Sequence, residues 1–386
     1  MLRLLTAASL LALAACATGP DYAAPATPAT AAAPFLSTSP AVTTAPADPE
    51  WWRLYRDPVL DGLIADTLAA NTDVRVAVAR IERARAALRE VRSDRTPTVG
   101  VDAAANYQRF SALQAVPGVD RESAVIDGGL NVSYELDLFG RVSRGVEAAR
   151  GDLGAAQADA EAVRVAVVAE TTRAYADAAA AAERMAVAER IVALLDRQLG
   201  TTRRRTEVGL TTPLDTARIA SLRDQRAAEI PSLLADRQAA LFRLATLTGR
   251  TPQDLPAIAA ARTATLRLDR PVPVGDGAAL LARRPDVAAA ERRLAAATAR
   301  IGVATADLYP RITMGGSIGQ TSTGLGNLFG AGPLNFLLGG LLNWNLDQNR
   351  ARARIAGAEA DTQAALATFD GRVLTALQET ETALSA

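Results

Sequence analysis

The feature that most constrains this chain is an internal duplication. Asp73-Val74 and Asp286-Val287 lie 213 residues apart, and so do Pro97 and Pro310. Between each pair runs a charged, Ala-rich helical pattern, TDVRVAVARIERARAALREVRSDRTP in one copy and RPDVAAAERRLAAATARIGVATADLYP in the other. Each proline stops its helix and is followed by strand-like alternation. In the first copy Val99, Val101, Ala103, Ala105 and Tyr107 alternate with small or polar residues. Leu130, Val132, Tyr134 and Leu136 then alternate with Asn131, Ser133, Glu135 and Asp137. The second copy repeats this with Ile312, Met314, Gly316 and Ile318, then Leu334, Phe336, Leu338, Leu342, Trp344 and Leu346. Period two gives each strand one apolar and one wet face. Tyr134-Glu135-Leu136-Asp137 matches Trp344-Asn345-Leu346-Asp347, and a long Ala-rich helix follows each, opening near Arg141 and Arg350.

The helix after Arg141 runs without proline to about Arg205, and roughly 60 residues at ~1.5 Å each make a rod of about 90 Å. It breaks at Gly209. Thr212-Pro213-Leu214-Asp215 then restarts a helix with Thr as N-cap, Pro at N1 and a carboxylate at N3. That helix carries to Thr248 and ends on Gly249, a natural C′ residue, with a kink expected at Pro231. The result is a long antiparallel hairpin whose tip is Val208–Thr212. The Ala-rich composition, with 4% aromatic residues, suits packed helices better than a core of large side chains.

Four amphipathic strands of about ten residues match tilted transmembrane β-strands. Four strands do not close a barrel, and an open edge is too costly in lipid. Either the strands form a soluble sheet, or several subunits pool them.

The N-terminus adds a membrane address. A basic residue, Arg3, precedes the apolar run Leu4–Ala15, which is too short to span a bilayer and reads as a secretory signal peptide. It closes on Leu13-Ala14-Ala15-Cys16, which looks like a lipobox and makes Cys16, the only cysteine, the expected lipidation site. Ala17 in place of Asp favours the outer membrane, by resemblance to sorted lipoproteins. Residues 17–49, with prolines at 20, 25, 28, 34, 40, 46 and 49, read as an extended linker, and folding is expected to start near Trp51-Trp52.

Lys+Arg and Asp+Glu balance at 42 each, which gives no sign of nucleic-acid binding. The chain has no histidine, so the commonest general base and metal ligand is missing. Gly315-Gly316-Ser317-Ile318-Gly319 fits G-x-S-x-G, but in a strand and without a partner histidine it is no nucleophile elbow. Glu135 and Asp137 share the polar parity of their strand and read as lumen-facing or interfacial. No catalytic, cofactor-binding or metal-ligating residues are expected, and the chain reads as no enzyme.

Several segments resemble the outer membrane efflux protein family, in its nodulation-type lipoprotein branch. They are the lipobox at Cys16, Trp51-Trp52, Asp57-Pro58-Val59-Leu60, Tyr134-Glu135-Leu136-Asp137-Leu138-Phe139-Gly140-Arg141, Val208-Gly209-Leu210, Leu214-Asp215, Leu247-Thr248-Gly249-Arg250, Arg283-Arg284-Pro285-Asp286-Val287 and Ala306-Asp307-Leu308-Tyr309-Pro310. The resemblance implies a mainly α fold with a small β part. Homotrimers of this kind close a 12-stranded outer-membrane β-barrel from three sets of four strands, continued by a periplasmic α-barrel. It also implies a passive conduit fed by an inner-membrane efflux transporter through a periplasmic adaptor (membrane fusion) protein. The adaptor would meet the hairpin tip at Val208, Gly209, Leu210 and Thr211; alternatively Gly209 only permits the turn. The implied location is the outer membrane, through barrel and lipid anchor, with a periplasmic extension.

The expected division is a signal peptide (1–15), a lipidated linker (16–50), a first repeat (51–270) and an incomplete second repeat (271–386). Residues 350–386 supply only part of one long helix where the first repeat has a full hairpin, so no gate residues carry over. A non-channel scaffolding lipoprotein or a non-functional truncated fragment is the alternative to a channel.

Overall fold

The structure, a computed structural model, describes residues 17–37, 39–114, 118, 120–323 and 334–386. Cys16 and the expected signal peptide lie outside the described residues.

In chain order the elements are β1 (Val42–Thr43), α1 (Pro58–Ala70), α2 (Thr72–Ser93), β2 (Thr98–Arg109), β3 (Glu122–Leu136), α3 (Arg141–Glu207), α4 (Pro213–Ala227) and α5 (Ile230–Leu247). Then follow β4 (Val272–Pro273), α6 (Gly277–Arg283), α7 (Pro285–Ala306), β5 (Arg311–Ser322), β6 (Leu334–Asn343) and α8 (Asn349–Ser385). The duplication is structural. Helices α2 and α7 each span 22 residues and strands β2 and β5 each span 12, and both pairs keep the 213-residue spacing.

The chain forms two compact units, each gathered from distant stretches. One holds the described residues up to Ala26 with Glu82–Ala156 and Ala288–Arg372; the other holds Thr27–Ile81, Gln157–Val287 and Val373–Ala386. The first contains the larger sheet, antiparallel in the order β2-β3-β5-β6, so that β3 of one repeat pairs with β5 of the other.

In the second unit, Asp57 caps α1 by accepting from the amides of Val59 and Leu60, and Pro58 sits in the first turn where its missing N–H costs nothing. Leu60, Leu63 and Ile64 of α1 pack with Val168 and Tyr175 of α3, Leu244 of α5 and Ala259, and Trp51 and Trp52 lie against this core. Helix α5 ends in a Schellman turn: Gly249, at φ 68°, donates to Thr246 and Arg250 donates to Ala245.

One expectation is met and sharpened, and two need correction. The return arm of the hairpin kinks at Pro231 as expected and divides there into two helices, α4 and α5, because Pro231 has no N–H for the carbonyl of Ala227. Ala228 and Glu229 stay right-handed, so the break is a kink rather than a loop. Strand β6 ends at Asn343, leaving Trp344 and Leu346 outside it. There the indole of Trp344 donates to the Leu308 carbonyl, and the amide of Asp347 donates to the Asn345 side chain in an Asx turn that leaves the ladder.

The third concerns the described residues of 17–50, which include a short 3-10 helix at Ala29–Ala32 and dock on folded elements rather than hang free. Val42 and Thr43 pair in parallel with Val272 and Pro273. The amides of Leu36 and Ser37 donate to the Glu381 carboxylate at 2.7 and 3.0 Å. Alanine and proline lose little side-chain freedom on docking, so a tract that looks like a linker by composition packs at low entropic cost.

Candidate functional site

Strand register sorts the larger sheet into two chemically different faces. Val99, Val101 and Tyr107 stand opposite Val132, Leu130 and Ala124. Leu130, Val132 and Tyr134 stand opposite Ile318, Gly316 and Met314, and Ile312, Gly316 and Ile318 opposite Leu342, Leu338 and Phe336. Directly opposed residues share a face, so the apolar positions of all four strands lie on one side. The other side carries Asp102, Asn131, Ser317, Thr321 and Asn335, interrupted by Leu337 and Leu341. There the Asn131 amide donates to Asp102 and the Asn335 amide to Thr321 Oγ1 at 3.1 Å.

Among the described residues nothing covers the apolar positions of β6, where Phe336 is 81% and Leu338 82% exposed. Strands β2 and β6 each have a strand partner on one side only among the described residues. An uncovered apolar face this large marks a surface that meets lipid or protein. No helix among the described residues is long and apolar enough to cross a membrane.

At the base of the sheet the strands turn into helices through a charged junction. Asp137 caps α3, accepting from the amides of Val142 and Ser143 at 2.9 and 2.8 Å. Arg141 pairs with Glu135, and Arg354 with Asp307 at 2.8 Å. The rings of Phe139 and Tyr309 stack, centroids 4.6 Å apart and 12° from parallel. This brings together two of the segments that carry the family resemblance, 134–141 and 306–310.

The described chain begins on this junction. The amide and hydroxyl of Thr18 both donate to the Phe139 carbonyl, and the hydroxyl also reaches the Gly302 carbonyl at 3.2 Å. Arg144, buried, donates to the carbonyls of Thr18 and Gly19 and pairs with Asp21 at 2.6 Å. Tyr22 donates to Glu291; burial, then that bond, pushes its phenol up to about 12. Composition hid these contacts; Gly140 and Gly302 leave room for Ala17 and Thr18 to approach closely.

In the second unit, the hairpin tip has the expected geometry. Gly209, at φ 77°, donates to Thr206 while Leu210 donates to Arg205. A Cβ built on Gly209 meets nothing within 4 Å, so conformation alone demands the glycine. Val208 and Leu210 are exposed. Thr211 turns inward, its hydroxyl 2.9 Å from that of Thr206, which also meets Thr216. Thr212 and Asp215 form the full capping box.

Similarity to known proteins agrees with this arrangement. The outer membrane efflux protein family matches residues 63–250 and 278–386. Outer membrane protein OprJ of Pseudomonas aeruginosa is 32% identical over 97% of this chain and 78% of its own length. Nodulation protein T of Rhizobium leguminosarum bv. trifolii is 29% identical over 97% and 80%. Among solved structures, the outer-membrane channel OprN superposes with a TM-score of 0.88 at 35% identity, over 96% of this chain and 82% of that one. The outer membrane protein VceC of Vibrio cholerae superposes with 0.78 at 26% identity, over 86% and 80%. The duplicated helix–strand–strand–helix order, the two-faced sheet and these matches have one reading: an outer-membrane efflux channel component, and the chain belongs to the outer membrane efflux protein family.

Proposed function

We propose that three copies of this chain pool their sheets into one outer-membrane barrel of about twelve strands, and that the long helices continue it as a periplasmic tunnel. The carrying observation is the register, which gathers the alternating apolar positions of all four strands on one face, with Leu337 and Leu341 of β6 falling on the other, and leaves β2 and β6 each with an open side among the described residues. Closing the ring between copies covers both edges, which a lipid environment demands. The polar face then lines a passive conduit, fed by an inner-membrane transporter through a periplasmic adaptor that meets the tip at Val208, Gly209 and Leu210. Thr211 supports that tip from inside. Cys16 is the acylated residue, residues 1–15 are its signal peptide, and 51–270 and 271–386 are the two repeats.

Outer-membrane fractions should contain a heat-modifiable trimer, and deletion should raise sensitivity to exported compounds. A chain that stays monomeric and whose deletion changes no sensitivity rules out the channel. Labelled palmitate should enter the wild-type protein and not Cys16→Ser.

A further inference from the structure

The charged junction at the base of the sheet encloses a cavity of about 250 Å³. Among its walls are Glu135 and Arg311, which stand opposite Thr313 and Asn343 on the face that also carries Asn131 and Ser317. The cavity therefore opens beneath the polar face of the sheet.

Four carboxylates and four guanidiniums line it, but their hydrogen-bonding capacity is unevenly used. Glu135 is bound in parallel by Arg141 at 2.8 and 2.7 Å, and Asp307 by Arg354. Asp137 is taken by the amides of Val142 and Ser143, and Asp347 by that of Asn349 at 3.2 Å. Every carboxylate thus has a donor. The arginines differ. Arg311 lies 3.8 Å from Glu135 and 3.7 Å from Asp307, too far for a hydrogen bond. The Arg350 side chain has no ion-pair or hydrogen-bond partner among the described residues. The cavity thus offers guanidinium donors without a hydrogen-bond acceptor, whereas each of its carboxylates already holds at least one donor, and the Phe139–Tyr309 stack gives it an apolar wall.

We propose that this cavity is an oxyanion subsite on the conduit wall, where the carboxylate of an amphiphilic small molecule in transit lodges against Arg311 and Arg350. Guanidinium matches a carboxylate with two parallel donors, while the stacked rings receive the apolar part. The transit role rests on the channel reading above; the binding chemistry does not.

The test uses the full purified chain in detergent and fluorine NMR of 4-(trifluoromethyl)benzoate, with 4-(trifluoromethyl)benzylammonium as the opposite-charge control. The benzoate should bind saturably and the ammonium should not. Arg350→Gln, which breaks no side-chain hydrogen bond or ion pair among the described residues, should weaken benzoate binding about threefold, and Arg311→Gln with Arg350→Gln about tenfold. Equal binding of the two probes, or wild-type affinity in the double variant, overturns the subsite. Planar-bilayer recordings separate the two ideas. A conducting wild type whose benzoate permeability falls in the double variant supports transit. A wild type that conducts nothing removes the transit role along with the channel reading, while the NMR arm still decides whether the cavity takes an oxyanion.

Discussion

Arg141 holds Glu135 through two parallel hydrogen bonds, 2.8 Å from Nε to Oε1 and 2.7 Å from Nη2 to Oε2. The pair joins the end of β3 to the first residue of α3 across the four-residue turn 137–140. Both side chains are largely shielded, so the bond is worth more than a surface ion pair. Arg141→Ala should cost about 1–3 kcal/mol, and Arg141→Lys an intermediate amount because an ammonium cannot reproduce the fork. The readout is the temperature at which the folded form is lost on semi-native gels. An unchanged temperature in Arg141→Ala would show that the pair does not stabilise the junction.

Two glycines of α3 should answer the same substitution with opposite signs. A Cβ on Gly151 falls 2.9 Å from Ala296 Cβ and 3.0 Å from the Arg292 carbonyl of α7, so the helices cross there at backbone distance. One on Gly200 meets nothing within 4 Å. Gly200→Ala should stabilise by about 0.5–1 kcal/mol through helix propensity. Gly151→Ala should destabilise despite the same gain, because part of what it strikes is backbone that cannot rotate away. Thermal melts by circular dichroism decide this, and stabilisation by both would refute the close crossing.

What was legible in the sequence was local or periodic. Pro97 and Pro310 fix helix ends wherever the rest of the chain goes, and the duplication follows from them. Thr212, Asp215 and Gly249 act within four residues, so their caps could be read directly. The register of the sheet was half legible: alternation named each apolar face, but not that β3 would pair with β5. Contacts made by placement alone left no trace. Thr18 bonds Gly302 across 284 positions and Arg354 bonds Asp307 across 47, and neither spacing has a pattern. Asn345 and Asp347 matched Glu135 and Asp137 in parity, yet their side chains form Asx turns that end the strand early.

Acid should loosen the contact around Arg284, which donates to both oxygens of Asp286 at 2.8 Å and pairs with Glu379 at 2.7 Å. The hydrogen bonds from Arg284 hold the Asp286 carboxyl below its ordinary range, against the opposing effect of burial. A carboxylate depressed on folding contributes stability that is present above its unfolded pKa and lost as pH falls through the folded value. The stability gap between wild type and Asp286→Asn should be constant above pH about 5 and shrink as the pH falls below about 4. A gap that does not change down to strongly acid pH would mean that charge at Asp286 does not matter.

The most damaging single change outside the sheet should be at Asp57, which is 5% exposed. Its Oδ1 caps α1 through Val59 and Leu60, while Oδ2 accepts from Tyr175 Oη at 3.1 Å and from Arg262 Nη1 at 2.7 Å. One carboxylate thus ties the start of α1, the middle of α3 and the segment after α5. Burial first, and then the charge of Asp57, push the Tyr175 phenol up to about 12, so it remains a donor at any working pH. Tyr175→Phe removes one hydrogen bond and should cost about 1 kcal/mol. Asp57→Ala removes the cap and leaves a guanidinium and a buried hydroxyl without their acceptor, and should cost about 3–5 kcal/mol. Because Trp51 and Trp52 pack on the same core, their fluorescence during urea unfolding reports the loss. If Asp57→Ala costs no more than Tyr175→Phe, the carboxylate is not the hub of this core and the three segments are held by apolar packing alone.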